Sequence, residues 1–253
     1  MFRKLAIIAS TLAILGIPSA FAADEVKLAY GSLERDTNFS AGHCPNCYEL
    51  TGEVEVKNLA YSKEVWVWYS TGSGGWKTKK ATYDAQLGNN KESWDFSVSL
   101  GVVSPANLQL AIQYIVNGTS YWDNNGNQNY TLGTPTAFSV LNKVNLFPTS
   151  NVFAMFDKLH GEVVLKNIAY QKQGKVVYTL DGWATRQETP LTFKAVDGPL
   201  AETWEFTADI PTIFADDLPT IEYAISYTVG SATYWDNNHG RNYKVSRFMG
   251  AAR

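Results

Sequence analysis

The chain has 253 residues, a formal net charge of -3 and an isoelectric point near 5.7. Hydrophobic residues make up 45% and charged residues 18%, which excludes a disordered protein, because disordered chains lack the apolar surface that offsets chain entropy. No basic excess is present to neutralise phosphates, so we predict no binding to nucleic acid. Aromatic residues reach 13%, a content that suits a β-rich core and a binding surface alike.

The amino-terminal segment has the parts of an export signal. Arg3 and Lys4 precede the apolar run 5–17, and Ala20-Phe21-Ala22 has the small-residue pattern of a cleavage site. We therefore predict a signal peptide over 1–22 and a secreted or periplasmic mature chain. No later segment reaches the roughly 18 consecutive apolar residues of a membrane-spanning helix, so we expect no membrane span in the mature chain.

The two cysteines, Cys44 and Cys47, lie three residues apart. In an oxidising compartment, a local disulfide between them is the expected state. The C-x-x-C spacing also occurs in redox enzymes, but these need a helix amino terminus in a thioredoxin-like setting. A zinc site needs two more ligands, and His43 is the only candidate nearby. We predict a structural disulfide and no bound metal.

The chain repeats itself once. Three segments of the first half recur in the same order in the second half, with an offset that drifts as loop insertions would produce. The pairs are 52–61 with 161–170, 93–96 with 203–206, and 121–125 with 234–238. Two copies of a domain of about 110 residues, a common domain size, fill the chain. We predict domains at 23–133 and 137–253.

Both copies have the two-residue period of half-buried β-strands. Apolar and polar residues alternate over 94–100 in the first copy and over 221–229 in the second. Turns rich in glycine and asparagine separate such runs, and no long helical period competes with them. The pattern predicts an antiparallel, all-β sandwich or barrel for each copy. We expect first strands at 26–33 and 138–147, with the connector at 131–136.

A segment near the end of each copy combines tryptophan with several asparagines. The residues are Trp122, Asn124 and Asn129 in the first copy and Trp235, Asn237 and Asn242 in the second. Amides donate and accept hydrogen bonds, which matches neighbouring sugar hydroxyls, and an indole can stack on the apolar face of a sugar ring. The alternative is that these loops satisfy their own backbone, which we expect for Asp123 and Asp236.

Two further features recur outside the alternating runs. Trp76 follows the glycine-rich 72–75, and Trp183 follows Asp181-Gly182. Each is predicted at a hairpin tip, exposed to solvent unless the tip folds back into the core. The other feature is a set of asparagine, tyrosine and lysine side chains. These either lie together on one polar surface or belong to a turn in which the tyrosine is buried. The set comprises Asn58, Tyr61 and Lys63, and Asn167, Tyr170 and Lys172.

Metal and enzyme motifs match less well. The segment 123–129 has the spacing of a calcium loop but lacks the glycine and the glutamate of that motif, so we predict no metal and no cofactor. The chain has 3 histidines, and they share no motif. Glu53 with Asp123, and Glu162 with Asp236, are acid pairs of the kind that a glycosidase needs, but so small a domain offers little wall for a cleft. We predict that the protein is not an enzyme.

These motifs resemble carbohydrate-binding module family 21, the starch-binding domain of some fungal glucoamylases, and are similar to the glycogen-targeting subunits of protein phosphatase 1. The resemblance rests on 56–63, Trp76 and 121–130, each with its counterpart in the second copy. It implies two tandem immunoglobulin-like antiparallel β-sandwich domains that bind α-1,4-glucan without catalysis. No R-V-x-F phosphatase-docking stretch precedes either copy.

The resemblance also implies two candidate sites in each copy. The platform site, which we expect to stack glucose, comprises Trp76, Trp122, Asn124 and Asn129, and Trp183, Trp235, Asn237 and Asn242. The tyrosine site adds loop aromatics to the repeated set of asparagine, tyrosine and lysine and comprises Asn58, Tyr61, Lys63 and Tyr83, and Asn167, Tyr170, Lys172 and Phe193. Where the glucoamylase modules have a further strand tyrosine in the platform site, this chain has Ala111 and Ala224. Where the resemblance places a further aromatic ring in the tyrosine site, the first copy has Lys91 and the second has Ala201.

The sequence thus predicts exported, non-catalytic binding of α-1,4-glucan polysaccharides or oligosaccharides (starch, glycogen or maltooligosaccharides) by tandem modules. A separate amylase is a candidate partner. Single sites should be weak, and two linked sites should gain affinity on a polymer. The alternatives are a β-sandwich glucan hydrolase or lyase, and a structural or adhesive β protein whose aromatic side chains fill the core.

Overall fold

The computed structural model describes residues 20–21, 24–35, 47–72, 74–103, 108–133, 139–147, 152–198, 200–211 and 220–248. These residues form strands, turns and irregular segments, and no helix occurs among them. Residues 1–19 and Cys44 lie outside the described residues, whereas Cys47 is described and is disulfide-bonded. Within the described segments, no helix has the length and apolarity needed to cross a bilayer.

Eleven strands build the first sandwich. They are β1 (Ala20–Phe21), β2 (Val26–Arg35), β3 (Cys47–Lys57), β4 (Lys63–Ser70), β5 (Lys77–Lys80), β6 (Thr82–Leu87), β7 (Lys91–Val102), β8 (Leu108–Val116), β9 (Thr119–Asp123), β10 (Tyr130–Leu132) and β11 (Ser139–Leu141). One sheet has the order β1-β9-β8-β4-β5, with β10 also paired to β8, and the other has the order β11-β2-β3-β7-β6. Strand β1 runs parallel to β9, and the other pairs are antiparallel.

Ten strands build the second sandwich. They are β12 (Phe153–Met155), β13 (Lys158–Lys166), β14 (Gln173–Thr179), β15 (Gln187–Pro190), β16 (Thr192–Val196), β17 (Ala201–Asp209), β18 (Ile221–Val229), β19 (Ala232–Asp236), β20 (Tyr243–Val245) and β21 (Arg247–Phe248). One sheet has the order β16-β17-β13-β12-β21, and the other has the order β15-β14-β18-β19, with β20 also paired to β18. The strand order β9-β8-β4-β5 therefore recurs as β19-β18-β14-β15, so the repeat in sequence is a repeat in structure.

The core of each sandwich consists of inward-facing side chains from both of its sheets. In β8, Leu110, Ile112 and Tyr114 are fully buried, whereas Gln109 before them and Gln113 on the other face of the strand retain contact with solvent. This is the two-residue period that the sequence predicts. The predicted all-β fold with two antiparallel sandwiches is confirmed, and the barrel alternative is not realised, because each domain consists of two sheets packed over one core.

The segment that we expected to open the second copy, 138–147, is divided between the two sandwiches. Strand β11 pairs with Tyr30–Ser32 of β2 in the first sandwich. The backbone at 145–147 pairs instead with β13 in the second sandwich, where the amide of Lys166 donates to the carbonyl of Asn145 at 2.9 Å. An unpaired strand edge leaves backbone groups without partners, and one segment covers such an edge on both sandwiches.

The connector also differs from the expected 131–136. Residues 130–132 form β10, and the chain passes from one sandwich to the other within 142–144. The amides of Asn142 and Lys143 still donate to the carbonyl of Ala29 in the first sandwich, at 3.0 and 2.9 Å. The connection is therefore short and hydrogen-bonded, which holds the two sandwiches close together.

Gly52 of β3 lies against an aromatic ring of the core. A Cβ at this position would lie 2.4 Å from Cζ of Phe96 and 2.6 Å from the carbonyl oxygen of Tyr30. The second sandwich repeats the arrangement, with a Cβ at Gly161 2.5 Å from the ring of Phe206. Glycine is present at both positions because the ring and the backbone fill the space of a side chain.

We expect Gly52→Ala to lower the free energy of unfolding by about 1–3 kcal/mol, because the added methyl group displaces the Phe96 ring or the backbone. Gly88→Ala is the control, since a Cβ there would have no atom within 4 Å, and its effect should stay within about 0.5 kcal/mol. Urea unfolding of both variants measures the difference. Equal unfolding midpoints would contradict this account of Gly52.

Candidate functional site

Two tryptophans lie side by side on the outer face of the β9-β8-β4 sheet of the first sandwich. Trp122 on β9 is opposite Gln113 on β8, and Trp68 on β4 is opposite Ala111 on β8. The two ring centroids are 5.6 Å apart, and the ring planes are inclined by 52°. Nε1 of Trp68 donates to Oε1 of Gln113 at 3.0 Å, which orients the ring. Both tryptophans are half-buried, so the pair presents an aromatic surface to solvent.

Trp68 is a residue that the sequence reasoning missed. A comparison of the two copies could have found it, because the first copy has tryptophan where the second has Val177, the residue opposite Ala224 on β18. The resemblance places a tyrosine at the position of Ala111. Because alanine is small, it leaves room for the ring of Trp68 on the neighbouring strand. The first sandwich thus has an indole from β4 where a tyrosine from β8 is expected.

The loop tryptophans Trp76 and Trp183 are both partly exposed, at 38% and 37%, so neither tip is folded back into the core. The amide of Trp183 donates to Oγ1 of Thr179 at 2.9 Å. Its Nε1 donates to Oε2 of Glu222 at 2.8 Å. Its φ of 71° lies in the left-handed region, which a bulky residue adopts only when its surroundings hold it there. The loop therefore presents a fixed indole.

The asparagine-rich loop of the first sandwich uses much of its amide capacity within itself. Oδ1 of Asn124 accepts from the amide of Asn127 at 3.0 Å, and its Nδ2 donates to Oδ1 of Asn127 at 3.1 Å. Asn125, Asn127 and Asn129 have φ values of 53°, 71° and 58°, which asparagine tolerates better than most residues. Some of these asparagines, Asn124 above all, therefore serve to hydrogen-bond and shape their own loop, which is the alternative to sugar binding.

The equivalent loop of the second sandwich leaves its tryptophan more open. Trp235 is 54% exposed. Oδ1 of Asn237 accepts from the amide of Gly240 at 2.9 Å, and a glycine stands where the first sandwich has Asn127. Asn237 therefore lacks the amide-to-amide contact that Asn124 makes.

Glu222 links several members of the second platform site. Its carboxylate accepts from Trp183 and lies 3.1 Å from Nζ of Lys244. Hydrogen bonds from Trp183, then Lys244 and Asn242, lower the pKa of Glu222. The first sandwich has Gln109 at this position, whose Oε1 accepts from Nδ2 of Asn129 at 3.5 Å. The two platform sites thus differ in charge at an equivalent point.

The aspartates beside the platform tryptophans make hydrogen bonds within their own sandwiches. Asp123 is buried, and its Oδ2 accepts from the amide of Leu28 at 2.7 Å and from the hydroxyl of Tyr130 at 2.8 Å. Oδ1 of Asp236 accepts from the hydroxyl of Tyr243 at 2.7 Å. Oδ1 of each aspartate also accepts from an amide of its own loop, that of Asn125 at 3.4 Å and that of Asn238 at 3.3 Å. These contacts agree with the backbone role expected for both aspartates.

The tyrosine sites contain the most exposed rings of the described chain. Tyr61 and Tyr170 are 103% and 98% exposed, so neither forms a buried plug in its turn. Tyr83 on β6 and Phe193 on β16 are about half exposed. Each packs edge to face on a tryptophan of the neighbouring strand, with ring centroids 5.9 and 6.0 Å apart.

The lysines of the tyrosine sites are buried, contrary to the expectation that they share a polar surface with the asparagine and the tyrosine. The side chains of Lys63 and Lys172 are 3% and 4% exposed. Nζ of Lys63 lies 2.7 Å from Glu92 and donates to Oδ1 of Asn58 at 2.6 Å. Lys172 is held in the same way. A buried charge needs such pairing, so these lysines orient the asparagines and offer no free charge to a ligand.

The asparagine-rich loop of the second sandwich contacts the first sandwich. Nε2 of His239 lies 3.2 Å from Oε2 of Glu53 on β3, and Nη2 of Arg241 lies 2.7 Å from Oδ2 of Asp84 on β6. At the equivalent positions, the loop of the first sandwich has glycine and glutamine. The residues that make the contact are therefore residues by which the two copies differ.

The acidic side of this contact also differs between the copies. Glu53 and Asp95 are opposite each other on β3 and β7, and Asp84 stands at the adjoining β-bulge. The equivalent residues of the second sandwich are Glu162, Glu205 and Lys194, in that order. There, the lysine pairs with both glutamates. In the first sandwich an aspartate replaces the lysine, and the second sandwich supplies the positive charge.

Comparison with known proteins gives a family match in both halves. A family model described as "Carbohydrate/starch-binding module (family 21)" matches residues 36–133 and 142–246. Glucoamylase 1 of Rhizopus oryzae is 40% identical over 90 residues, which are 34% of this chain and 14% of that protein. Protein phosphatase 1 regulatory subunit 3C-B of Danio rerio is 29% identical over 126 residues, which are 47% of this chain and 39% of that protein. The chain thus spans less than half the length of either relative.

Two solved structures are similar to parts of the chain. The starch binding domain of Rhizopus oryzae glucoamylase, in complex with β-cyclodextrin and maltoheptaose, has 31% sequence identity and a TM-score of 0.35, and the match covers 47% of this chain and 99% of that one. The carbohydrate binding module of the muscle glycogen-targeting subunit of protein phosphatase 1 has 27% identity and a TM-score of 0.29, covering 39% of this chain and 67% of that one.

We expect Lys63→Met to lower the free energy of unfolding by about 3 kcal/mol or more, because it leaves the carboxylate of Glu92 buried without its partner. Lys80→Met is the matched control. Lys80 pairs with Glu64 at 2.6 Å, but both side chains are nearly half exposed, so its loss should cost about 1 kcal/mol or less. Chemical denaturation measures both values. A Lys63→Met variant as stable as Lys80→Met would contradict the positioning role of Lys63.

Two groups at the contact between the sandwiches have shifted pKa values. The hydrogen bond to Glu53 raises the pKa of His239, helped by the charge of Asp84 and opposed by desolvation and by Arg241. Partial removal of its carboxylate from water, with the nearby carboxylates of Asp84 and Glu53, raises the pKa of Asp95 to about 6. Protonated His239 stabilises the contact, and this stabilisation is lost as the pH rises through its raised pKa. Ionisation of Asp95 adds repulsion over a lower pH range, so both effects weaken the contact as the pH rises.

We expect His239→Ala to remove part of the loss of stability between about pH 5.5 and about pH 8, because the variant has no imidazolium to deprotonate. His160→Ala is the control, since the ring of His160 stacks on Phe153 within the second sandwich. Its pH dependence should match that of the unmodified chain. Urea unfolding at the two pH values measures this effect, and an unchanged dependence in His239→Ala would refute it.

Proposed function

Because the chain belongs to carbohydrate-binding module family 21, with a separate match in each half, we propose that it is an exported, non-catalytic binder of α-1,4-glucans such as starch, glycogen and maltooligosaccharides. One observation carries the proposal. Each sandwich has partly exposed tryptophans on one outer face, beside a loop rich in amide groups. Indole faces and amides together are the chemistry that a polyhydroxylated sugar ring needs.

In the first sandwich, glucose would stack on the surface formed by Trp68 and Trp122. The inclination of 52° between the rings means that this surface is not flat, and we propose that it follows the curved chain of an α-1,4-glucan. Trp76 borders the same sheet at the start of β5. Since Asn124 is engaged within its loop, Asn129 and Gln109 are the amides that we propose to contact hydroxyls.

In the second sandwich, Trp235 and Trp183 would take the place of the paired rings. The carboxylate of Glu222 joins Trp183 to Asn242, and a carboxylate is a strong acceptor for sugar hydroxyls. The second platform is therefore proposed to bind through charge-assisted hydrogen bonds in addition to stacking. The two sandwiches would differ in affinity, although their sequences are related.

Two linked sites would act together on a polymer. The chain crosses between the sandwiches within 142–144, and the pairs of His239 with Glu53 and of Arg241 with Asp84 join them again. The two platforms are thus held at a limited range of separations. Linked binding raises avidity by roughly 10²- to 10⁴-fold when both sites can engage. We propose capture of glucan, attachment to its surface, or support of a separate amylase as the biological use.

Export is proposed from the amino-terminal sequence and is supported by disulfide-bonded Cys47, because structural disulfides persist in oxidising compartments. Strand β1 lies within the proposed signal peptide 1–22 and pairs with β9 at Tyr121 and Trp122. Cleavage after Ala22 would therefore free the backbone edge of β9 beside the first platform. A phosphatase partner is not proposed, since no R-V-x-F stretch precedes either copy.

We expect the double variant Trp122→Ala with Trp235→Ala to lose its retardation in native gels that contain amylopectin. Truncating a tryptophan at the centre of a binding surface costs about 2 kcal/mol or more, so loss of both rings should abolish measurable binding. Phe153→Ala is the control, because Phe153 is also half exposed but lies on β12 in the opposite sheet. Retardation that survives the double substitution would contradict the assignment of the platform sites.

The same preparations separate the alternative functions. Incubation of the unmodified chain with soluble starch should release no reducing ends if the protein only binds glucan. Release of reducing ends that the double variant loses would favour the hydrolase or lyase. An unmodified chain that migrates equally with and without amylopectin would favour the structural or adhesive alternative.

A further inference from the structure

A cleft of about 650 Å³ lies between the two sandwiches. Asp84 and Asp95 line it from the first sandwich, Trp235 and Asn237 from the second, and Lys143 from the connection between them. Clefts of roughly 300–1,000 Å³ that lie between domains and combine aromatic rings with a few polar groups are typical ligand sites. This cleft includes one tryptophan of the second platform and extends beyond the surface of that sandwich.

The carboxylates of the cleft have two different roles. Glu53 and Asp84 are paired with His239 and Arg241, so they hold the sandwiches together. Asp95 has an exposed side chain that faces the cleft. Its pKa of about 6 means that near neutral pH it is mainly a charged acceptor and at mildly acidic pH also a donor. Asp95 is thus the carboxylate of the first sandwich that is placed to meet a ligand.

The opposite wall contains a buried acceptor that lacks a partner among the described residues. Oδ1 of Asp236 accepts from Tyr243, but Oδ2 is buried without a hydrogen bond. The equivalent Oδ2 of Asp123 accepts from the amide of Leu28 and from Tyr130. A buried acceptor left unpaired is destabilising. The carboxylate that lines this wall of the cleft is therefore incompletely paired, unlike its counterpart in the first sandwich.

We propose that the cleft is a composite binding site, in which an α-glucan chain seated on Trp235 continues between the sandwiches and bonds to Asp95 of the first and Asn237 of the second. This inference rests on the proposed function and adds a site that neither sandwich forms alone. A neutral, polyhydroxylated ligand suits the cleft because donors and acceptors face each other across it. Among the described residues, no group of three or more histidine, cysteine or carboxylate side chains has the arrangement of a metal site.

The test uses the full chain carrying Trp68→Ala with Trp122→Ala, which removes both paired rings of the first platform and leaves the second platform intact. Calorimetric titration with maltoheptaose gives its affinity. Adding Asp95→Ala should weaken binding by about tenfold to a hundredfold, the range that corresponds to one hydrogen bond to a charged group. Glu205→Ala is the matched control, because Glu205 is exposed at the equivalent position of the second sandwich and lies outside the cleft. Its effect should stay within about twofold.

Asp95→Asn keeps the shape of the side chain and one acceptor oxygen, so it should weaken binding less than Asp95→Ala. Since Asp95 is exposed, both variants should keep the far-ultraviolet spectrum of the parent. Equal affinities for Asp95→Ala and Glu205→Ala would overturn the composite site and leave the proposed function standing. Failure of the chain that carries Trp68→Ala and Trp122→Ala to bind maltoheptaose would also overturn it. Failure of the unmodified chain to bind any α-glucan would overturn the proposed function itself.

Discussion

The register of β8 with its two neighbours decides what the first sandwich presents to solvent. Side chains alternate across a strand, so the burial of Leu110 and Ile112 forces the residues between them outward. Trp68 and Trp122 are opposite the outward residues Ala111 and Gln113, and they therefore share the outer face. A slip of β4 and β9 by one residue relative to β8 would turn both indoles toward the core and turn the buried residues of those strands toward solvent. The binding surface and the core are thus two consequences of the same pairing.

The second constraint is the exchange of charge between the sandwiches. In the second sandwich, Lys194 pairs with two neighbouring glutamates of the same sheet. In the first, Asp84 replaces the lysine, and the compensating charges come from His239 and Arg241 of the other sandwich. Without the other copy, the first sandwich would have unpaired carboxylates at this contact, and the second would have an unpaired arginine and histidine. The duplication has therefore diverged at positions that join the copies, and the join places Trp235 beside a wall of the first sandwich.

Much of the fold was predictable because its signals are local. The two-residue period marks the strands, the repeated segments mark the duplication, and glycine and asparagine mark the turns where φ is positive. The exposed tryptophans were predictable for the same reason, since Trp76 and Trp183 follow turn residues. The role of Lys63 was not, because a lysine near a turn is normally solvated. Only the facing strand β7 supplies Glu92, which holds the ammonium in the interior.

The all-β class, the duplication and the aromatic and amide character of the candidate sites could be predicted from the amino-acid sequence, because they depend on residue type and on spacing along one strand or turn. The pairing of Trp68 with Trp122, the division of 138–147 between the sandwiches and the contact of His239 with Glu53 arise only when the chain is folded. These features join residues that are far apart in the chain. Their partners are selected by strand register and by the packing of one sandwich against the other, which no local pattern records.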